Sequence, residues 1–329
     1  METINTIEKI QETNTNDNEN ENENKNEIIH STPISKPTIR HLVISGGGPT
    51  GLSFYGILKE SQQSGLWDIK NIQSIYSTSV GSFLSIILGL KYEWDMMDAF
   101  LIKRPWQNIF KLNLYSIIHA FEKRGIFSIN IIEEIFSPLL LGADLSINIT
   151  MKEFYEFNGI EFHIFSTELN QFETIDFSYK THPDWRIIDV VYCSCTLPIV
   201  FSPFMKEDKW YIDGGILTNY PLYYCLQSGA KSEEILGIRK TTFSKKTYMN
   251  EKSTFFDYLM ITFNNILEKL LFIDNTIDKK IQYEIVVDDV GVAIQDILST
   301  ASSIEKRQQL IQRGVDIFKK QGFTCSSSL

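Results

Sequence analysis

Apolar and polar segments alternate between residues 39 and 230 in the order of an α/β domain. A strand-like run at 40–45 leads through a turn into a helix-like run at 51–60. A second strand-like run at 72–76 leads into 80–90, which is apolar on nearly every side and therefore has the pattern of a buried helix. The chain is long enough for one large α/β domain with an extension.

The segments after residue 90 form an inserted helical region that is followed by strands. The helical region is expected to shape the pocket of the site, and its aromatic side chains are expected to lie mainly in the core. In chain order there are two helix-like regions at 92–109 and 114–141, a strand pair at 161–169 and 173–177, a helix-like run at 184–196 and a short strand at 210–212. The aromatic residues of the helical region include Phe100, Trp106, Phe110, Phe121 and Phe127.

Beyond the strands, apolar positions recur at helical spacing. Those between 255 and 271 predict a strong amphipathic helix that packs on the α/β domain. The segment 304–321 sets apolar residues against basic ones, which favours a packing helix and leaves contact with a lipid surface as the alternative. The predicted organisation is a tail at 1–38, an α/β domain at 39–230 and a mainly helical C-terminal extension at 231–329.

Charge and composition narrow the function classes. The 329 residues carry a net charge of −10, and residues 1–29 hold eight acids and two lysines, so the remaining chain is only mildly acidic at −4. The segment 11–27 is dominated by Asn and Glu and has no apolar residue, which predicts a disordered tail. Because no clustered basic run interleaved with aromatic residues is visible, nucleic-acid binding is not expected.

Cysteine usage indicates a reducing compartment. The four cysteines form no CxxC pair, and no histidine stands at metal-ligand spacing, so we expect free thiols, no metal site and no cofactor. The chain has no apolar run of about 20 residues and no basic-then-apolar plan at its N-terminus. We therefore expect a cytoplasmic protein with no signal peptide and no transmembrane helix.

A glycine-rich turn at 46–51, Gly-Gly-Gly-Pro-Thr-Gly, joins the first strand to its helix. Backbone N–H groups gathered at a helix N-terminus favour negative charge, so the turn suits an oxyanion hole or the phosphates of a nucleotide. A dinucleotide site requires an acidic residue at the end of the second strand, where this chain has Ser77-Thr78-Ser79. A P-loop requires Gly-Lys-Ser or Gly-Lys-Thr, which is also missing. Both nucleotide sites are disfavoured.

The second strand ends in a turn with the layout of a nucleophile elbow. Ser79 lies between the strand and the buried helix, and Ser77 and Gly81 occupy the positions two residues on either side. Small residues at these positions let strand and helix pack closely, so that the serine hydroxyl is exposed in a strained conformation. Together with the glycine turn and a distant Asp-Gly-Gly, this elbow predicts a hydrolase site.

A nucleophilic serine needs a base, which is usually histidine. No histidine follows Asp213, so the chain order Ser, acid, His cannot be formed. The histidines are His30, His41, His119, His163 and His182. Both His163 and His182 have ordinary structural explanations. Asp213 ends a short aromatic strand and enters Gly214-Gly215, a bend that places its carboxylate at a sheet edge, where it can act directly on Ser79.

Three blocks of the chain resemble patatin-like phospholipases, the lipid acyl hydrolases that use a Ser-Asp dyad. The segment 45–51 resembles the glycine-rich oxyanion loop, 77–82 the serine elbow, and 211–221, Tyr-Ile-Asp-Gly-Gly-Ile-Leu-Thr-Asn-Tyr-Pro, the Asp-Gly-Gly segment. The segment 193–203, Cys-Ser-Cys-Thr-Leu-Pro-Ile-Val-Phe-Ser-Pro, is similar to the small-residue helix that leads into it. The resemblance covers about 41–230.

The resemblance implies a three-layer α/β sandwich with a central, mostly parallel sheet flanked by helices. It implies that Ser79 is the nucleophile and Asp213 the base, without metal or cofactor. The substrate would be a phospholipid or another lipid ester, with peripheral contact to membranes; protein partners are not indicated. The implied oxyanion residues are Gly46, Gly47, Gly48 and Gly51, and the implied supporting residues are Ser77, Gly81, Gly214 and Gly215.

Two positions depart from the family pattern. Ser77 stands where the elbow normally begins with glycine, and we expect the elbow to survive with altered packing or an extra hydrogen bond. Thr50 stands where many relatives carry Arg or Lys in the glycine loop. These departures support the alternative function, a catalytically silent patatin-fold protein that binds lipid or serves as a scaffold.

Overall fold

The structure is a computed structural model that describes residues 38–111, 120–241, 248–274, 280–288 and 294–323. The expected tail therefore lies, except for Thr38, outside the described residues. The same holds for His30, His119 and Cys325.

A mostly parallel sheet forms the centre of the described chain. Its strands are β1 (His41–Ile44), β2 (Ser74–Thr78), β4 (Glu161–Glu168), β5 (Glu173–Phe177), β7 (Phe204–Lys206), β8 (Lys209–Asp213), β9 (Ile235–Lys240) and β10 (Tyr283–Val287). Strands β10, β9, β1, β2 and β4 lie side by side in that order and are parallel. Both β5 and β8 pair with β4, and β7 pairs with β8, all in antiparallel fashion. Two short strands, β3 (Gly125–Phe127) and β6 (Ile199–Phe201), pair separately.

Helices flank the sheet on both faces. They are α1 (Gly51–Gln63), α2 (Val80–Gly89), α3 (Trp94–Asp98), α4 (Asn130–Gly142), α5 (Met151–Asn158), α6 (Ile187–Cys195), α7 (Leu222–Gln227), α8 (Phe255–Asp274), α9 (Ile294–Ser302) and α10 (Ile304–Lys320). A π-helical turn at Ala99–Lys103 continues α3. Local sequence explains several boundaries: Thr150 and Glu153 form a capping box at the start of α5, and Gly159 ends that helix in the left-handed conformation.

Alternation along the strands divides the core between the two faces of the sheet. Leu42 and Ile44 of β1 and Ile75 of β2 point into the larger core, which includes side chains of α1, α2 and α6. Val43 and Tyr76 point into the smaller core, which α7 covers. The predicted α/β architecture with a central, mostly parallel sheet flanked by helices is confirmed.

One helix-like region has a different structure from the prediction. Within 114–141, the described residues form the strand β3 before α4 begins at Asn130. Arg124 has a φ of 62°, which ends the preceding helical turn, and a side chain at Gly125 would overlap with the backbone of Phe201 on the paired strand. Among the aromatic residues expected in the core, Phe121 is 74% exposed.

The C-terminal residues add strands to the same sheet. β9 lies between β1 and β10, so the residues after 231 supply one neighbour of the first strand as well as helices. The last helix, α10, packs along α1. A division of the chain at residue 230 stays a prediction about its organisation.

Candidate active site

Ser79 occupies a sharp turn between β2 and α2. Its φ of 53° and ψ of −125° are unusual for a residue with a side chain, and such strain is typical of nucleophile elbows. The turn is tight at Gly81, where an added Cβ would lie 2.5 Å from the carbonyl oxygen of Ile44. Only glycine fits there, and the close approach of α2 to β1 fixes the direction of the turn.

One edge of β4 brings Ser79 and Asp213 together. Thr78, the last residue of β2, pairs with Phe165, and Asp213, the last residue of β8, pairs with Ser166. Because β5 occupies the other edge of β4 over 164–168, β2 and β8 must share one edge. The two strand ends therefore meet at consecutive residues of β4.

The Ser79 Oγ donates a hydrogen bond to Asp213 Oδ2 over 2.8 Å. The other carboxylate oxygen, Asp213 Oδ1, accepts from the Gly215 N–H over 2.7 Å. Asp213 is 4% exposed, and this burial raises the pKa of its carboxyl group to about 6, although the bonds from Gly215 and Ser79 act in the opposite direction. The carboxylate is therefore oriented, and more basic than an exposed aspartate.

The glycine turn lies beside this pair and joins β1 to α1. Gly48 has a φ of 52°, a conformation that glycine adopts without a steric penalty. The N–H of Gly46 donates to the Asn219 carbonyl over 3.0 Å, and the N–H of Gly51 donates to carbonyls within the turn. In the described part of the chain, the amides of Gly47 and Gly48 donate to no protein acceptor. Of the four glycines implied as oxyanion donors, these two have a free amide.

Asn219 connects the glycine turn to the Asp-Gly-Gly segment. Its carbonyl binds Gly46, and its side chain fills the space beside two glycines: an added Cβ would lie 2.5 Å from Asn219 Oδ1 at Gly46 and 2.8 Å at Gly215. Asn219 stands in the Asp-Gly-Gly segment at 211–221, and no role was predicted for it from the sequence. Its contacts span 173 residues of sequence to Gly46, and no local pattern predicts them.

The end of α6 contacts both residues of the pair. Ser194 Oγ accepts from the Ser79 backbone N–H over 2.8 Å and donates to the Phe165 carbonyl over 2.6 Å. The Thr196 carbonyl accepts from the Asp213 N–H over 2.9 Å. Between them, the Cys195 Sγ lies 3.7 Å from Ser82 Oγ, and burial raises the pKa of its thiol to about 12. These residues lie in the segment that resembles the family, but the sequence analysis gave none of them a function.

The histidines have other partners. His163 contacts Asp176 through Nδ1 at 2.8 Å and Glu161 through Nε2 at 3.2 Å, and its ring stacks on Tyr76. His182 contacts the hydroxyl of Thr181. These partners lie on the sheet and in the 181–182 turn, whereas the carboxylate of Asp213 accepts a hydrogen bond from Ser79 Oγ.

The two departures from the family pattern are both buried. Ser77 is fully buried in β2, and among the described residues its hydroxyl has no hydrogen-bond partner. The extra hydrogen bond expected at Ser77 is therefore not formed. Thr50 is also fully buried, directly before α1. With serine at position 77, the elbow still holds Ser79 in the strained conformation described above.

The described residues contain neither a metal-binding cluster nor a helix that could span a membrane. No group of three or more His, Cys, Asp or Glu side chains in this part of the chain is arranged to hold a metal ion. None of its helices combines the length and the apolar character that crossing a bilayer requires.

A family model for patatin-like phospholipases matches residues 42–226, more than half of the chain. The chain belongs to the patatin-like phospholipase family. The matched residues begin in β1 and end in α7, so they include Ser79, Asp213 and the glycine turn. The last two strands of the sheet and helices α8 to α10 lie beyond the match.

Two viral proteins are similar in sequence to this chain. One is "Probable lipid hydrolase 463L" of Invertebrate iridescent virus 6, which is 26% identical over 205 residues, 60% of this chain and 68% of that protein. The other is an uncharacterized protein of Acanthamoeba polyphaga mimivirus, 30% identical over 195 residues, 59% of this chain and 64% of that protein. The matches leave about a third of each relative uncovered.

Among solved structures, VipD from Legionella pneumophila is similar, with a TM-score of 0.51 and 16% sequence identity. The similarity covers 86% of this chain and 66% of VipD. At this identity the comparison shows a shared fold. It extends over more of the chain than the family match does.

Proposed function

We propose that this protein is a lipid acyl hydrolase that cleaves carboxylic ester bonds through an acyl-Ser79 intermediate, with Asp213 as the base. The observation that carries the proposal is the 2.8 Å hydrogen bond from Ser79 Oγ to Asp213 Oδ2 at a strained elbow. A serine hydroxyl is a weak nucleophile until a base takes its proton, and Asp213 is within reach to do so.

In the first half-reaction, Asp213 accepts the proton of Ser79 as Oγ forms a bond to the ester carbonyl carbon. The carbonyl oxygen becomes an oxyanion, and the free N–H groups of Gly47 and Gly48 supply hydrogen bonds to it. The proton on Asp213 then passes to the leaving alcohol as its bond to carbon breaks, which gives the acyl-enzyme. The second half-reaction repeats these steps with water as nucleophile and releases the carboxylic acid.

The electrostatics of the site support this assignment. A pKa of about 6 leaves Asp213 ionised at neutral pH and makes it a stronger base than an exposed aspartate. Ser79 is the N-cap of α2, and the glycine turn leads into α1, so two helix N-termini face the developing negative charge.

The substrate class comes from the family and from the relative named as a lipid hydrolase, which makes phospholipids or related lipid esters the proposed substrates. A lipid substrate lies in membranes or micelles, so the proposal includes peripheral contact with a lipid surface. Three glycines support the geometry of the site through close contacts that leave no room for a side chain: Gly81 with Ile44, Gly214 with Phe165 and Gly215 with Asn219. Ser77, at the start of the elbow, is small enough to be fully buried in β2.

Labelling with a fluorophosphonate tests the nucleophile. We expect a stoichiometric adduct on Ser79, located by mass spectrometry, because the reagent traps an activated serine beside an oxyanion hole. Ser79→Ala should abolish labelling and turnover of a fluorogenic lipid ester. Ser85→Ala is the matched control, since Ser85 lies on the same helix and its buried hydroxyl bonds only to the Gly81 carbonyl over 2.7 Å.

Asp213→Asn tests the base in the same assays. Asparagine keeps an oxygen for the Gly215 N–H but cannot accept the Ser79 proton, so turnover should fall by several orders of magnitude while the fold is retained. The control is Glu168→Gln, because Glu168 is also a buried carboxylate but lies on β4 and accepts from the Gln171 N–H. This variant should keep the turnover of the unsubstituted protein. Folded protein that resists labelling at Ser79 would contradict the proposal and favour a silent lipid-binding protein.

A further inference from the structure

Ser194 makes two hydrogen bonds whose directions are fixed by their partners. The Ser79 backbone N–H can only donate and the Phe165 carbonyl can only accept, so the Ser194 hydroxyl must accept from the first over 2.8 Å and donate to the second over 2.6 Å. One atom has to act as acceptor and donor at once, which a hydroxyl does and a methyl group cannot. Ser194 is fully buried, so solvent competes for neither bond.

The residue that Ser194 binds is the strained one. At a φ of 53° and a ψ of −125°, the backbone of Ser79 lies outside the favoured regions for a residue with a side chain, and such a conformation persists only where the surroundings fix it. The Ser79 N–H lies at the centre of the turn, and the direction of this bond limits rotation about the Ser79 backbone. The same rotation sets where Ser79 Oγ lies relative to Asp213 Oδ2.

The support of Ser194 is the strand that also aligns Asp213. Phe165, which accepts from Ser194, precedes Ser166, which pairs with Asp213 in the sheet. Two residues after Ser194, the Thr196 carbonyl accepts from the Asp213 N–H. The end of α6 and the middle of β4 thus form one hydrogen-bonded frame around both residues.

We propose that Ser194 is a positioning residue that fixes the Ser79 backbone so that Oγ stays within hydrogen-bond distance of Asp213. The proposal rests on the function proposed above for Ser79 and Asp213. It assigns to Ser194 no contact with substrate: its effect passes through the Ser79 amide. Loss of the hydroxyl should therefore lower the rate of the chemical step and leave substrate binding unchanged.

The first test compares Ser194→Ala with Ser61→Ala. Ser61 is the matched control because it is also fully buried and its hydroxyl makes the same kinds of bond: it accepts from the Trp67 indole N–H over 2.9 Å and donates to the Leu58 carbonyl over 3.1 Å. We expect similar losses of thermal stability in both variants. The rate of fluorophosphonate labelling at Ser79 should fall on the order of 10- to 100-fold in Ser194→Ala, whereas in Ser61→Ala it should stay within about threefold of the unsubstituted rate.

A second pair of variants isolates the hydroxyl at constant volume. Ser194→Thr keeps the hydroxyl, whereas Ser194→Val has the same shape without it, so any cost of the added methyl group is common to both. We expect Thr to restore most of the labelling rate relative to Val. In ester hydrolysis, Val should lower kcat with little change in KM. The acid limb of the pH profile should shift towards higher pH in the Val variant, because the hydrogen bond from Ser79 that lowers the pKa of Asp213 is weakened.

The outcomes separate the two proposals. Failure of the unsubstituted protein to label at Ser79 overturns the proposed function and, with it, the role of Ser194. If that protein labels and Ser194→Ala labels as fast, only the positioning role is overturned. Equal slowing in Ser194→Ala and Ser61→Ala, or equal rates in the Thr and Val variants, also overturns it, since the hydroxyl would then act only through general stability.

Discussion

Asp213 is a carboxyl group held in surroundings that oppose its charge. Burial raises its pKa from an ordinary value of 3.8 to about 6, while the Gly215 N–H, the Ser79 hydroxyl and the charge of Lys240 lower the pKa in part. Because the folded-state pKa is above the unfolded value, the ionised form carries a folding cost. That cost is absent below about pH 4 and fully present above about pH 6.

The same pKa predicts the pH dependence of activity. Asp213 must be ionised to accept the Ser79 proton, so kcat/KM for ester hydrolysis should fall about tenfold per pH unit as the pH drops below about 6. A pH series with a substrate that has no titratable group measures this limb. Fluorophosphonate labelling should lose rate over the same range. A midpoint near pH 4 would mean that Asp213 is not desolvated, and the assignment of the base would lose its electrostatic support.

Ser77 carries a buried hydroxyl with no hydrogen-bond partner among the described residues. Ser77→Ala removes this hydroxyl and keeps the Cβ, so the free energy of unfolding should rise by about 1 kcal/mol without loss of activity. Ser74→Ala on the same strand is the control, since Ser74 Oγ bonds to His41 Nδ1 over 2.8 Å and its loss should destabilise. Urea unfolding of both variants measures whether each change raises or lowers the free energy of unfolding. Destabilisation by Ser77→Ala would indicate a partner for the hydroxyl, such as an ordered water.

At the scale of residues, the sequence predicts what is local. The elbow can be predicted without a structure because its residues lie close together in the sequence. The spacing of Ser77, Ser79 and Gly81 is typical of such a turn. Ser194 and Asn219 act through contacts with residues more than 100 positions away, and their composition is ordinary for buried serine and asparagine. Such roles depend on the tertiary arrangement, which a single sequence does not specify.

Among the elements, α10 contains a buried cation without a carboxylate partner in the described residues. Arg307 is 3% exposed, and its guanidinium donates to main-chain carbonyls at the ends of two other helical segments. Thr300 and Ala301 lie in the last turn of α9, Ile102 lies near the end of the π-helical turn, and Arg104 directly follows that turn. Carbonyls at helix C-termini are partly negative, so the charge has favourable partners.

Arg307→Met should therefore lower the free energy of unfolding by about 2–4 kcal/mol, because it leaves several buried carbonyls without donors. Arg313→Met on the same helix is the matched control. Arg313 is partly exposed and lies 3.8 Å from the exposed Asp288, so its loss should change stability by less than about 0.5 kcal/mol. Chemical denaturation of both proteins gives the comparison. Equal changes in the free energy of unfolding would show that water binds the buried carbonyls when the Arg307 guanidinium is removed.

Helix α8 was predicted from the helical spacing of its apolar positions, and α2 from a run that is apolar on nearly every side. Strands β9 and β10 were missed, because short apolar runs within a mainly helical region have no period that distinguishes strand from helix. The strand β3 was missed for a related reason: its three residues become a strand only by pairing with β6. Pairing partners far along the chain decide such cases.

For the whole molecule, the contact between α1 and α10 joins the two ends of the described chain. Small residues allow the close crossing: side chains at Gly56 or Gly314 would overlap with backbone carbonyls of Ile311 and Ser53. The Ser53 hydroxyl also donates to the Leu310 carbonyl over 2.8 Å. Since α1 directly follows the glycine turn with the proposed oxyanion donors, the packing of α10 on α1 supports the helix next to those donors.

Gly314→Ala tests this helix crossing, because helix propensity and close packing predict changes of opposite sign in the free energy of unfolding. Alanine is favoured over glycine in a helix by about 1 kcal/mol, so an exposed position would gain stability. At Gly314 the added Cβ meets the Ser53 carbonyl, and we expect a loss of about 1–3 kcal/mol instead. Thermal unfolding followed by circular dichroism measures the change. A stabilised variant would mean that the two helices are further apart than the structure has them.

The fold as a whole was predicted from the three blocks that resemble the family, since they fix the first two strands and the strand of Asp213. The integration of the C-terminal residues was not, because the family pattern quoted from the sequence ends near residue 230. Their strands extend a sheet that already exists, and their helices cover a face that is already apolar. Nothing in their own sequence states which surface they cover.

The shared edge of β4 makes the active site as durable as the sheet itself. Thr78 and Asp213 are each held to β4 by ladder hydrogen bonds, so the same strand supports Ser79 and Asp213, the proposed nucleophile and base. Local opening events inactivate enzymes whose catalytic groups lie on separate lobes, whereas these two groups would separate only when the pairing with β4 opens. Inactivation by heat should therefore coincide with cooperative melting of the sheet, and activity lost on mild warming would have to come from substrate access rather than from the dyad.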